Sequence, residues 1–169
     1  MADMTKDTIE ALNDLIETSK DGAEGFRTAA EGVTNPATKQ LFESRLGSIN
    51  TGIADLQAAV RRLGGEAVDH GHAIAPLHRG WINLKAAISG KSDDAVITEV
   101  VRGEESAVAH YKEALTKGLL PETEMLVRTQ LTGVQKNLDR VRALQATVGK
   151  TPVRELDSRP PTGEPPHRF

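Results

Sequence analysis

Four long segments of this chain place apolar residues at alternating steps of three and four, a spacing that permits little except a bundle of amphipathic α-helices. In the first, Ile9, Leu12, Ile16, Ser19, Ala23, Phe26, Ala30 and Val33 hold the alternation, with Thr5 or Asp7 placed to cap its start. The second follows Asn35-Pro36, where proline suits a first helical turn, and carries Phe42, Leu46, Ile49, Ile53, Leu56, Val60 and Leu63 to a stop at Gly64-Gly65. The third opens at Ser92-Asp93-Asp94 and runs through Ile97, Val101, Glu104, Val108, Tyr111 and Leu115 to Gly118. The fourth follows Pro121, with Val127, Leu131, Val134, Leu138, Val141 and Val148 in line and Gln145 as its polar member. At 169 residues the chain is one domain's worth, long enough to bury a core without staples.

Two of the three connections between these segments are tight turns, so the helices they join are expected to run antiparallel. The remaining connection, Glu66 to Lys91, is a glycine- and histidine-rich loop followed by a short helix that Pro76 opens and that Leu77, Trp81, Leu84 and Ile88 make apolar on one face. It is long enough to cross the length of the bundle, and one long crossover in a four-helix bundle is the ferritin-like arrangement. The expected fold is therefore all-α, a ferritin-like four-helix bundle with a short extra helix in its crossover, over residues 5–149. Residues 150–169, with Pro152, Pro160, Pro161, Pro165 and Pro166, read as an extended or disordered tail.

Composition removes several function classes. There is no cysteine, hence no disulfide, thiolate metal site or cysteine nucleophile. A net charge of -3, one Trp, one Tyr and three Phe give neither a basic field nor a stacking platform for nucleic acid. Met1 to Lys6 lacks a basic segment followed by an apolar run, and no stretch reaches the length of a membrane span, so a soluble cytoplasmic protein is expected.

The apolar seam is broken by a charge at one position, Glu104. A ferritin-like di-metal centre needs inward carboxylates from two helices and a Glu-x-x-His pair from each of the others, because residues three apart share a helical face. Glu10, Glu17, Glu24 and Glu31 recur every seven residues, but each follows a seam residue by about 100° and reads as a solvated stripe. Glu-x-x-His occurs only at Glu164 and His167, in the tail; Ala107 stands where Glu104 would need it, and His110 falls on the outer side of its helix. Asp69, His70 and His72 make a polar loop cluster with weak ligand spacing. His78 and Trp81, at the crossover helix, suit structural roles.

Three readings of Glu104 stay open. It is paired to a cation reaching in from a neighbour, such as Arg45; or it joins a hydrogen-bonded polar cluster with Ser19, Asn50, Gln130 or Tyr111; or it is the remnant of a metal site, with Glu43 as the other candidate ligand. With no partner fixed, Glu104→Gln reads as close to neutral, since it removes a charge that is costly to bury.

The segments Leu12-Asn13-Asp14-Leu15-Ile16, Lys20-Asp21-Gly22, Gly25-Phe26, Leu63-Gly64-Gly65, His78-Arg79-Gly80-Trp81 and Arg102-Gly103-Glu104 resemble the bacterial ferritin-like family called domain of unknown function 2383, over about residues 5 to 148. The resemblance implies a ferritin-related fold and a bacterial origin, and no particular activity. In the family pattern a Glu often precedes the Arg-Gly-Glu, and an Asn-His-Asp is common in the last helix. Here Val101 and, within Asn137-Leu138-Asp139, Leu138 stand in those places, which leaves Glu104 without two of the ligands such a pattern would supply.

The expected function is thus that of a non-enzymatic, homo-oligomeric structural or binding protein without a cofactor. Leu15, Gly22 and Ala29 beside the first seam are placed for close approach by another subunit or by the crossover helix. Two alternatives remain: a di-iron or di-manganese oxidase or iron-storage protein, and an adaptor or cargo protein that docks a partner through Val153, Leu156 and Phe169 of the tail.

Overall fold

The computed structural model describes residues 1–69, 81, 83–90 and 92–148, which form five helices in the order α1 (Ala2–Gly32), α2 (Pro36–Arg62), α3 (Leu84–Ser89), α4 (Asp93–Leu115) and α5 (Pro121–Val148). Their ends follow local chemistry. Asn35 Oδ1 accepts from the N–H groups of Ala37 and Thr38 and caps α2, with Pro36 in the first turn; Ser92 Oγ accepts from Ala95 N–H and caps α4. Gly64, at φ +78°, turns the chain out of α2 in a left-handed conformation that a side chain would strain. At the start of α1 the structure departs from expectation. The helix begins at Ala2, and Thr5 lies inside it with its hydroxyl on the Met1 carbonyl, so it caps nothing.

The four long helices form an antiparallel bundle. Between α1 and α4, Thr34 meets Asp93 near one end and Asp14 meets Lys117 near the other, so the two run in opposite directions. The tight α1–α2 and α4–α5 turns and the long crossover between α2 and α4 complete the ferritin-like connectivity. The crossover starts along α1: Asn13 bonds both the Glu66 carbonyl and the Val68 N–H, and Lys20 Nζ donates to the Val68 carbonyl. It ends in α3, a single short helix that packs on both α1 and α4.

That docking changes which surfaces are interior. Leu15 and Ala29 are fully buried within the subunit, the side chain of Ile88 presses on Gly32, and Trp81 lies on Gly25. Of the two approaches foreseen for the small residues of α1, that of the crossover is seen, at Gly25 and Gly32, and Leu15 and Ala29, being buried, are not available to another subunit. The expected apolar face of the short helix is present as Leu84 and Ile88, with Trp81 in the turn before it; Pro76 and Leu77 lie outside the described residues.

The apolar core is divided. One cluster centres on Phe26, Phe42, Val96, Val100 and Val141, the other on Leu12, Ile16, Leu56, Val60 and Val127. Between them, at the waist of the bundle, the helices present polar and small residues.

Candidate functional site

Heptad spacing brings polar groups from the long helices into two layers at this waist. Arg45 of α2, Glu104 of α4 and Asn137 of α5 meet in the first, under the ring of Phe26 from α1. Gly52, Tyr111, Gln130 and Ser19, from the same four helices, form the second. Each member of one layer is two heptad-spaced turns from its counterpart, roughly 10 Å along the helix at 1.5 Å per residue.

In the first layer Glu104 is 2% exposed, and its carboxylate accepts from N–H donors of Arg45 and Asn137. Arg45 Nε donates to Oε1 at 2.6 Å and Nη2 to Oε2 at 3.3 Å, a two-pronged approach that matches the planar guanidinium to the planar carboxylate. Asn137 Nδ2 adds a third bond to Oε1 at 2.6 Å. Arg45, itself only 12% exposed, lies 5.9 Å from the centroid of Phe26, where the ring face attracts its charge. Two buried charges are thereby compensated together, which neither would be alone.

Phe26 links this pair to Trp81. The two rings meet edge to face with centroids 5.6 Å apart, and Phe42 meets the other side of Phe26 in the same manner at 5.7 Å. The indole lies in a slot between Gly25 and Gly103, against both backbones; a Cβ on either glycine would overlap it. Gly25-Phe26, Trp81 and Gly103-Glu104, far apart in the chain, are thus one packed unit that ends on Arg45.

In the second layer the hydrogen bonds have a fixed direction. Gln130 Nε2 donates to the Gly52 carbonyl at 3.0 Å, which leaves Oε1 as the acceptor for Tyr111 Oη–H at 2.8 Å. Tyr111 has then spent its only proton, so Ser19 is the donor in the 3.3 Å contact between the two hydroxyls. Burial pushes the Tyr111 hydroxyl above its ordinary pKa, against the opposing effects of the Ser19 hydrogen bond and the Arg45 charge, so it stays a neutral donor.

A cavity of about 170 Å³ adjoins the two layers, lined by Phe26, Ile49, Trp81, Ser19, Tyr111 and His110 among others. His110 is a correction to the sequence reading, which put it on the outer side. It is half-buried, its Nδ1 is bonded to the Ser106 carbonyl at 2.8 Å, and its ring faces the cavity. The packing of α1 against α4 turns that side of the helix inward.

The other expected positions are dispersed. Asn50 and Glu43 are exposed on α2 and join neither layer, because both lie off the line on which Arg45 and Gly52 face inward. Val101 and Leu138 are core residues. Glu10, Glu24 and Glu31 are exposed and Glu17 half-buried; Asp69 is exposed with Arg61 3.7 Å away. His70, His72 and His78, and the tail residues Val153, Leu156 and Phe169, lie outside the described residues. Asn137 was not singled out, although it stands seven residues from Gln130 as Glu104 does from Tyr111, and that shared interval was the available signal. Glu99 was missed as well. It is 6% exposed, with Oε1 at 3.2 Å from Arg102 Nη1 and Oε2 without a hydrogen-bond partner among the described residues.

A ferritin-like fold raises the question of a metal, and the donor set answers it poorly. The central carboxylate is already held by a guanidinium, and a dication placed there would have to displace Arg45 while leaving its charge nearby. Among the described residues no three His, Asp or Glu side chains are arranged to hold a metal ion. No described helix is long and apolar enough to cross a membrane.

Residues 7–117 match the family described as "Domain of unknown function (DUF2383)". Among solved structures, a variant of Dps1 from Mycobacterium smegmatis is similar, with a TM-score of 0.76 at 13% identity over 86% of this chain and 99% of that one. A two-domain protein from Anabaena variabilis that contains DJ-1/ThiJ/PfpI-like and ferritin-like domains is similar too, with a TM-score of 0.71 at 16% identity over 95% of this chain and 42% of that one. No curated protein sequence matches the chain. At these identities the structural likeness shows the fold, which is ferritin-like.

Proposed function

We propose that this chain, which belongs to the family of domain of unknown function 2383, is a non-enzymatic structural or binding protein that assembles from copies of its helical body. The observation that carries the non-enzymatic part is the pair at the centre of the bundle. Arg45 at 2.6 Å from Glu104 supplies, from within the protein, the positive charge that a ferritin-like centre would take from metal. The assembly part is supported by the fold likeness to Dps1, and its interface would lie away from the crossover face. Met4 and Met125, 44% and 69% exposed, are the large apolar side chains that the helices hold out to solvent.

Two measurements on the full chain test this reading. Protein expressed with iron or manganese available should carry well under one tightly bound metal per chain by elemental analysis, and should sediment as an oligomer. Two metals per chain with rapid oxidation of added ferrous iron would make it a di-metal oxidase or storage protein instead. A monomer would remove the assembly part.

A further inference from the structure

The cavity beside the polar layers has a chemistry of its own that the ionic cluster does not use. One wall is aromatic and apolar, from Phe26, Trp81 and Ile49. The polar lining includes hydrogen-bond acceptors, the Ser19 hydroxyl and the Asp21 carboxylate among them, beside the Thr18 hydroxyl, which can donate or accept. The chain of bonds runs from Ser19 through Tyr111 and Gln130 to the Gly52 carbonyl, so the hydroxyl protons of Ser19 and Tyr111 are committed and the lone pairs of Ser19 Oγ remain. His110 reinforces this. Its Nδ1 faces the Ser106 carbonyl, which can only accept, so in the neutral ring Nε2 carries a lone pair. The cation in the lining, Arg45, is engaged by Glu104. The site therefore offers acceptors beside an aromatic wall and no free cation among the described residues.

Size narrows the choice further. About 170 Å³ compares with the roughly 150 Å³ that suffices for benzene in an engineered protein cavity, so the space takes one six-membered ring with a small substituent. We propose that this cavity is a binding site for a small neutral aromatic hydrogen-bond donor of the phenol type, its ring against Phe26 and Trp81 and its hydroxyl proton on Ser19 Oγ. The site depends neither on metal nor on assembly, and its failure would leave the reading of the ionic cluster intact.

Trp81 is the only tryptophan in the chain, so its emission reports on this cavity without interference. Phenol titrated into the full-length protein should change that emission saturably and raise the melting temperature. Toluene, which has the same shape but no donor, should bind at least about tenfold more weakly, because the acceptors are then buried without a partner. Ser19→Ala should bring phenol towards the affinity of toluene while leaving toluene unchanged. Gly22→Leu fills the cavity from α1, where an added Cβ meets nothing nearer than Ile49 Cδ1 at 3.8 Å; it should keep the fold and abolish the saturable response. A response linear in phenol, toluene binding as tightly as phenol, or Gly22→Leu binding phenol like the natural chain would each overturn the assignment.

Discussion

The indole of Trp81 fills the space that a Cβ on Gly103 would need, one residue before the buried carboxylate of Glu104. Glycine inside a helix ordinarily costs about 1 kcal/mol relative to alanine, so replacing it should stabilise. At Gly103 the sign should reverse. The added methyl would push the indole out of its slot and off Phe26, and Gly103→Ala is expected to destabilise by about 2 kcal/mol through overpacking. Gly47→Ala in α2 is the control, since an added Cβ there meets nothing within 4 Å, and it should stabilise by up to about 1 kcal/mol. Chemical denaturation of the two variants decides the matter, and equal effects at both positions would show that Trp81 is not held in the slot.

The Arg45–Glu104 pair predicts a non-additive mutant cycle. Glu104→Gln keeps an acceptor for Asn137 but leaves Arg45 largely buried without a counter-charge, so it should cost about 3 kcal/mol. Arg45→Met alone strands the carboxylate and should cost a similar amount. The double variant removes both charges and retains the Asn137 bond, so it should return to within about 1 kcal/mol of the natural chain. Additive losses in denaturant melts would mean that the two charges are solvated independently.

That expectation differs from the one drawn from the sequence, where removal of a lone buried charge reads as near neutral. The difference locates what a sequence can carry here. Periodicity and caps specify four helices, the capped starts of α2 and α4 and the one seam residue that does not belong, because these depend on neighbours within a few residues. The partner of Glu104 depends on how α2 and α5 are rotated about their axes, which a helical wheel leaves open; Arg45 is thus only one of several candidates, and Asn137 is not among them. The same gap hides the reason for Gly25 and Gly103. Each looks like a helix defect until an indole from a distant segment is laid across it. It also misplaces His110, whose side of the helix becomes interior when α4 packs on α1.

Acid should weaken one end of the bundle first. Asp93, in the first turn of α4, is pushed up by burial, but bonds from the Thr34 N–H, the Asn35 N–H and the Thr34 hydroxyl together hold its carboxyl below the ordinary value of 3.8. A folded-state pKa below the unfolded one contributes stability that is present above the unfolded value and is lost as pH falls through the folded one. Asp93→Asn should therefore cost about 1 kcal/mol at neutral pH, through weaker bonds to the α1–α2 turn. The two proteins should converge in melting temperature as pH falls below the ordinary carboxylate range and through the lowered folded-state value. A gap that persists in acid would assign the effect to shape rather than charge.

The tail should be separable from the body. The buried residues of α5 end at Val141, and the partly buried Leu144 and Val148 that close the upper cluster all precede Gly149. A chain ending at Gly149 therefore keeps every described core contact, and it should retain the helicity and melting temperature of the full chain to within about 1–2 °C, a shift that corresponds to a few tenths of a kcal/mol. Its oligomer should also sediment unchanged if assembly belongs to the helical faces. Loss of the oligomer with the fold intact would transfer assembly to residues 150–169. Val153, Leu156 and Phe169 would then become the anchors to substitute, and the binding role of the protein would be sought in what that segment grips.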